Sequence, residues 1–362
     1  MKTTKLLGLA LGAVVLGGLA WYTSNKNKIN APDLIGKRVL PKFDLSEIAR
    51  IESGAGSNKF ALASTEKGWV VSSLFNYPAD ITKIRENLLK LQAVKVSDVA
   101  EGKDLTGGRL VDLQNASGKS IAALTLGNTH QHQSAGDSPY GGGGYPDGRY
   151  VQAGGSDAVV LISDTLDAFD GDPKKWTDTQ IASVPSSDVT AILLSFGTEN
   201  TKLTKKDGAW TMDGIGTNEE FNTSNTYSVE SALSYLNFTS VADPALSPDA
   251  LGLNTGAVYT IQTKQGQVYT ANVGSTVPGG TDRYVKLSAT FSPTGTNTVE
   301  NAKYDQQVKD FNAKNGNWVY TIASYNADNM TKKRADFVKA KEPPKKEEAA
   351  TDAKPAKAES GK

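Results

Sequence analysis

The chain has no cysteine in its 362 residues, which excludes disulfides and thiolate metal sites and leaves the redox compartment open. No sign of charge dominates: 39 Lys and Arg stand against 39 Asp and Glu, a formal net charge of +0. A balance of that kind supplies none of the counterion-release drive that phosphate-backbone binding needs. No basic strip is interleaved with aromatics either, so nucleic acid is not expected as a partner. Histidine is scarce. His130 and His132 are the two present, and any Ser-His-Asp triad would have to draw its base from them. A complete catalytic motif is missing, and no cofactor or metal is expected.

What is present begins at the N-terminus. Lys2 and Lys5 precede an uncharged apolar run from Leu6 to Tyr22, the pattern of an export segment. As a helix the run would reach about 25 Å, slightly short of a ~30 Å hydrocarbon core, with Trp21 and Tyr22 placed for the interface. Gly18 and Ala20 would also permit cleavage after Ala20. Residues 1–25 are therefore expected as a signal anchor or signal peptide and residues 26–42 as a linker. At the other end, residues 341–362 mix Lys, Glu, Ala and Pro without a large apolar side chain and are expected as a disordered tail.

Between these ends the sequence repeats itself. Trp69 answers Trp210 and Ile51 answers Ile192 at one offset, 141. Each tryptophan is followed by a helical pattern. Asp80 caps a stripe of Ile81, Ile84, Leu88 and Leu91 in the first copy and Asn225 caps Val229, Leu233 and Leu236 in the second, with Asp80/Asn225, Ile84/Val229, Leu88/Leu233 and Leu91/Leu236 sharing the offset 145. A strand-turn-strand pattern follows, "LVDLQNASGKSIAALTLG" against "AVYTIQTKQGQVYTANVG", and then an Arg-Tyr-Val strand at Arg149 and again at Arg283. The expected fold is α+β: two similar tandem domains, residues 43–184 and 185–340, each a mostly antiparallel sheet with a packed helix. The copies differ by insertion. The first enlarges the loop that holds both histidines and Gly141–Gly144; the second inserts a helix, "VENAKYDQQVKDF", after its Arg-Tyr-Val strand.

The Trp after a strand, the capped helix, "ALGLNTGAVYTIQT" leading into a hairpin, and "RYV" resemble the domain-of-unknown-function family 4340. The resemblance covers about residues 43–340. It implies an exported protein held by an N-terminal membrane segment and built from tandem copies. Members of that family are often encoded beside ABC-type exporter or gliding-motility components, and the family has no assigned activity.

Candidate sites are few. His130 and His132 would share a face on a strand, a geometry open to metal, but the surrounding Gly, Ser and Pro predict a mobile loop. The glycine run lacks the Lys-Ser/Thr of a P-loop. Asp164, Asp167, Asp170 and Asp172 miss the calcium-loop spacing and predict caps and turns. Trp69 and Trp210 are expected to cover the core where helix meets sheet. Arg149, Tyr150, Arg283 and Tyr284 recur, so they are the candidate ligand or partner contacts. The expected function is a non-enzymatic, membrane-anchored envelope protein with its domains outside the cytoplasmic membrane. It would be an accessory or scaffold of a transport or surface machinery, with envelope or membrane proteins, such as an ABC-type exporter, as partners. An extracytoplasmic glycan or small-ligand binding module is the alternative. A hydrolase on paired carboxylates ranks last, since no spacing singles out a pair.

Overall fold

The computed structural model describes residues 31–56, 58–100, 105, 107–132 and 144–341. The export segment, most of the histidine-bearing loop and the C-terminal tail lie outside them. Among the described residues no helix is long and apolar enough to cross a membrane. The architecture is mostly antiparallel sheet with a few helices, an α+β arrangement.

The chain separates into two compact units, residues 1–179 and 180–362. The first holds β1 (Arg50–Ala55), β2 (Asn58–Thr65), β3 (Gly68–Val71), β4 (Tyr77–Pro78), helix α1 (Ile81–Ala93), β5 (Val96–Val99), β6 (Arg109–Gln114), β7 (Ser120–His132), β8 (Tyr145–Ala153) and β9 (Val160–Ile162). Its nine strands run in the order β4-β3-β2-β1-β6-β7-β8-β9-β5. The chain therefore leaves the sheet at one edge, forms α1, and re-enters at the opposite edge as β5. Asp80 starts that helix by accepting from the Thr82 and Lys83 amides at 2.9 and 3.3 Å, which answers two of the donors a helix start leaves free. Ile84, Leu88 and Leu91 are buried as the stripe predicts, each worth about 1.5–3 kcal/mol of transfer. Ile81 departs from the stripe: it is 54% exposed in the first turn. The largest fully buried side chain among the described residues is Trp176, whose ring meets Phe169 edge-on at 5.1 Å and whose indole N–H donates to the Ala168 carbonyl. Part of the expected linker also belongs to this unit. Gly36 and Val39 donate to the Val96 and Val94 carbonyls, and Leu40 is buried.

The second unit holds β10 (Gln180–Ala182), β11 (Val189–Phe196), β12 (Glu199–Lys206), β13 (Ala209–Met212), β14 (Glu219–Phe221), helix α2 (Thr226–Glu230), β15 (Leu236–Asn237), β16 (Ser240–Val241), β17 (Ala257–Thr263), β18 (Gln267–Thr276), β19 (Arg283–Phe291), helix α3 (Thr298–Asn315), β20 (Tyr320–Ile322), helix α4 (Ser324–Met330) and β21 (Val338–Ala340). Its main sheet runs β13-β12-β11-β17-β18-β19-β20-β16, the order of β3-β2-β1-β6-β7-β8-β9-β5 in the first unit. Even the register repeats under the offset 141: Ile51 faces Leu62 and Leu62 faces Val71, while Ile192 faces Leu203 and Leu203 faces Met212. The units divide a few residues before Pro185 because β10 pairs with β15 of the second.

The second helix is shorter than its stripe predicts. Val229, Leu233 and Leu236 are all buried, but α2 ends at Glu230, Leu233 lies in a turn and Leu236 in β15. Ser228 and Ser231 explain the stop. Their hydroxyls bond the Asn225 and Tyr227 carbonyls, the local competition that makes serine a poor interior helix residue. Asn225 stands at the N-cap position as expected, but its side chain makes no capping hydrogen bond. Its amide donates to the Asp336 carbonyl, and Asn222 caps the preceding 3₁₀ turn by accepting from the Ser224 amide. The inserted helix is present as α3, begun by Asn297. Asn312 seats it on the sheet. Its amide accepts from the Ala289 N–H and donates to the Ala289 carbonyl, both at 2.8 Å, so it serves β19 as a strand partner beyond the end of β20.

Candidate functional site

The Arg-Tyr pairs sit beside bulges that both units share. The pairing of β7 with β8 slips between Leu126 and Thr129, and that of β18 with β19 slips between Val273 and Thr276. Each slip turns one glycine carbonyl, at Gly127 or Gly274, out of the ladder, where it needs a donor. The arginine of the neighbouring strand supplies it. Arg149 donates from Nε to the Gly127 carbonyl at 2.9 Å, and Arg283 donates to the Gly274 carbonyl from Nε at 2.8 Å and Nη2 at 2.5 Å. Arg149, 7% exposed, is further occupied by the Thr165 carbonyl at 2.7 Å and by Asp170 Oδ1 at 2.6 Å.

Both glycines sit in crowded places. A Cβ on Gly127 would lie 2.2 Å from Leu105 Cδ2, and one on Gly274 would lie 2.2 Å from the Leu251 carbonyl oxygen. The tyrosines differ between copies. Tyr284 is covered by Ala242, Leu251 and Leu253, whereas Tyr150 is half-buried and meets the His130 ring edge-on at 6.0 Å. Of the four candidate contacts, both arginines thus bind the protein's own bulge carbonyls, and Arg149 adds the Thr165 carbonyl and the Asp170 carboxylate.

His130 and His132 are not in a loop. They end strand β7, opposite Gly148 and Tyr145 of β8, and both turn to Asp147. His130 Nδ1 donates to Oδ1 at 2.6 Å, and His132 Nδ1 lies 3.5 Å from Oδ2. The hydrogen bond from His130 holds the Asp147 carboxyl below its ordinary range. These three side chains tie the hairpin across its two strands. Among the described residues no three His, Asp or Glu side chains gather as metal ligands. Gly141–Gly143 lie outside the described residues.

The aspartates of residues 164–172 are distributed as caps and turns. Asp164 accepts from the Leu166 amide, Asp172 starts the turn Pro173–Trp176, and Asp170 pairs with Arg149. Trp210 joins β13 to the end of α2: its indole donates to Glu230 Oε2 at 3.0 Å, and Lys205 reaches Oε1 at 2.6 Å. Trp69 is half-buried on β3.

The fold and this recurring detail define an α+β protein of antiparallel sheets in which arginine closes a glycine bulge. The family described as Domain of unknown function (DUF4340) matches residues 69–256, and the chain belongs to that family. The match takes in Trp69, α1, Arg149-Tyr150 and the "ALGLNTG" loop, and stops before β17. No curated protein and no solved structure matches the chain.

Proposed function

We propose that this chain is a non-enzymatic accessory or scaffold of an envelope machinery, a duplicated α+β domain tethered to the cytoplasmic membrane by residues 1–25. The domains stand on the outer side and engage membrane proteins of a transport or surface apparatus, an ABC-type exporter among them. The observation that carries this reading is what the two units share. Strand order, register and the arginine-closed bulge repeat, and each is a device for holding a sheet rigid. What repeats is architecture, and a rigid sheet face is a platform for another protein. The apolar N-terminal run after Lys2 and Lys5 supports the tether. An open groove of about 460 Å³ over β1, β2 and β6 supplies a surface of mixed character, with Leu110 50% exposed beside Arg50, Glu52, Lys59 and Asp112.

A photo-crosslinking residue at Leu110 in the full chain, expressed in its own host, tests the proposal. The expected result is an adduct with an integral envelope protein in the membrane fraction. Recovery of the chain as a soluble cytoplasmic protein, or the absence of any membrane-protein adduct, would overturn it.

A further inference from the structure

We infer that the second unit carries a binding site for a neutral saccharide, in a cavity of about 370 Å³ above β18 and β19. That volume falls in the range of small-ligand sites, roughly 300–1,000 Å³. The site lies within one unit and stands independently of the scaffold reading.

The cavity follows from two features of the chain. Residues 242–256, between β16 and β17, fold over the sheet face that carries Tyr284 and Lys286. Leu251 and Leu253 cover Tyr284, and the Leu251 carbonyl accepts from both the amide and the hydroxyl of Ser275, at 2.9 and 3.1 Å. The cover stops short of Asn272 and Lys286, which face each other across β18 and β19. The inserted helix α3 then delivers Trp318 to the rim, with its amide donating to the Asn315 carbonyl. In the first unit, β8 connects to β9 through residues 154–159, which contain no tryptophan.

The lining chooses the ligand. Trp318, Pro244 and Leu246 supply an apolar side, and Leu246 is 43% exposed. Asn254, whose amide nitrogen already donates one hydrogen to Asp249, and Asn272 supply amides that can donate and accept, which is also the property of a hydroxyl group. A pyranose presents a C–H face that packs on an indole and a rim of hydroxyls that pairs with amides. Asn272 Oδ1 is buried and has no hydrogen-bond partner among the described residues, a condition a ligand hydroxyl would relieve once the amide turns into the cavity. Asp243 and Lys286 contribute one charge of each sign, so the lining favours neither an anion nor a cation. An extended peptide has no strand edge to join there, because β18 and β19 are paired along this stretch.

The test is titration of the full chain in detergent with cellobiose, maltose and chitobiose, followed by saturation-transfer NMR and calorimetry. At least one disaccharide should bind, and Trp318→Ala should weaken it about tenfold, the loss of one stacking contact. Asn272→Leu, which keeps the size and removes the amide, should weaken it about threefold to tenfold. Circular dichroism identifies a variant that has lost its fold, and Trp318→Phe then replaces Trp318→Ala with a smaller expected loss. No transfer from any of the three sugars at about 10 mM, a concentration that reveals even millimolar affinity, would overturn the inference. Binding that the folded Trp318 and Asn272 variants leave unchanged would do the same.

Discussion

Arg283 donates to the carbonyl of Gly274 from Nε at 2.8 Å and from Nη2 at 2.5 Å, and this pair closes the bulge between β18 and β19 as Arg149 and Gly127 close that between β7 and β8. The two closures are not equally demanding. Arg149 also holds the Thr165 carbonyl and Asp170, so its loss leaves two carbonyls and a carboxylate without their donor. Arg149→Met should cost about 2–3 kcal/mol, and Arg283→Met about 1 kcal/mol, from the usual worth of hydrogen bonds to charged donors. Urea unfolding followed by far-UV circular dichroism measures both. If the Arg149 variant falls within about 0.5 kcal/mol of the parent, the guanidinium does not hold the bulge.

Alanine at the two bulge glycines should separate hard from soft crowding. At Gly274 the new methyl would meet backbone, the Leu251 carbonyl oxygen, which cannot move without displacing the loop over Tyr284. At Gly127 it would meet chiefly the end of the Leu105 side chain, which can change rotamer, with the Tyr150 carbonyl oxygen at 3.1 Å the milder backbone contact. Gly274→Ala is therefore expected to destabilise by about 2–3 kcal/mol and Gly127→Ala by about 1 kcal/mol or less. Equal losses in urea melts would show that the neighbour's mobility does not matter.

Glu219 makes the second unit sensitive to acid. Arg334 binds its carboxylate through both terminal nitrogens and the Gly216 amide donates to Oε2, and together they lower its pKa to about 2. A depressed carboxylate contributes stability that is complete above its unfolded pKa, near 4.3, and is lost as the pH falls through the folded value. Between about pH 5 and pH 2 the stability gap between the parent and Glu219→Gln should close, while above pH 5 it should stay constant. Unfolding curves at pH 7, 4 and 2.5 check this. A gap that widens on acidification would reverse the assignment.

The repeat was legible because it is written in residues that every copy of a sheet must place. Ile51 and Ile192 keep their offset from Leu62 and Leu203 because register allows no slip, and Gly118 and Gly266, with positive φ of 80° and 89°, mark the hairpin turn in each copy. The failures have equally local causes. The Gly, Ser and Pro around His130 and His132 read as a loop, but β7 and β8 stay paired out to His132 and Tyr145, and Gly148, opposite His130, lies where a Cβ would come 2.3 Å from the Ile162 carbonyl of β9. The short α2 hid behind an apolar stripe whose burial is real, since a turn and a strand can bury Leu233 and Leu236 as well as a helix can. The tertiary partners of Arg149 and Arg283 had no sequence signal beyond their recurrence with Gly127 and Gly274, because a bulge is a property of two strands at once.

The histidine hairpin gives the last expectation. Deleting Thr129 to Tyr145 would remove paired strand, including both histidines, and should destabilise the first unit. Replacing only residues 133–144 by Asn-Gly leaves His132 and Tyr145, which face each other, flanking a two-residue turn of the type that favours hairpins. A shorter closed loop loses less entropy on folding, so stability should be unchanged or raised by about 1–1.5 kcal/mol. The His130–Asp147 contact should survive, detectable as an Asp147 carboxyl that still titrates below its ordinary range in the shortened chain. Loss of cooperative urea unfolding in this variant would mean that residues 133–144 take part in the fold of the unit and are more than the connection between β7 and β8.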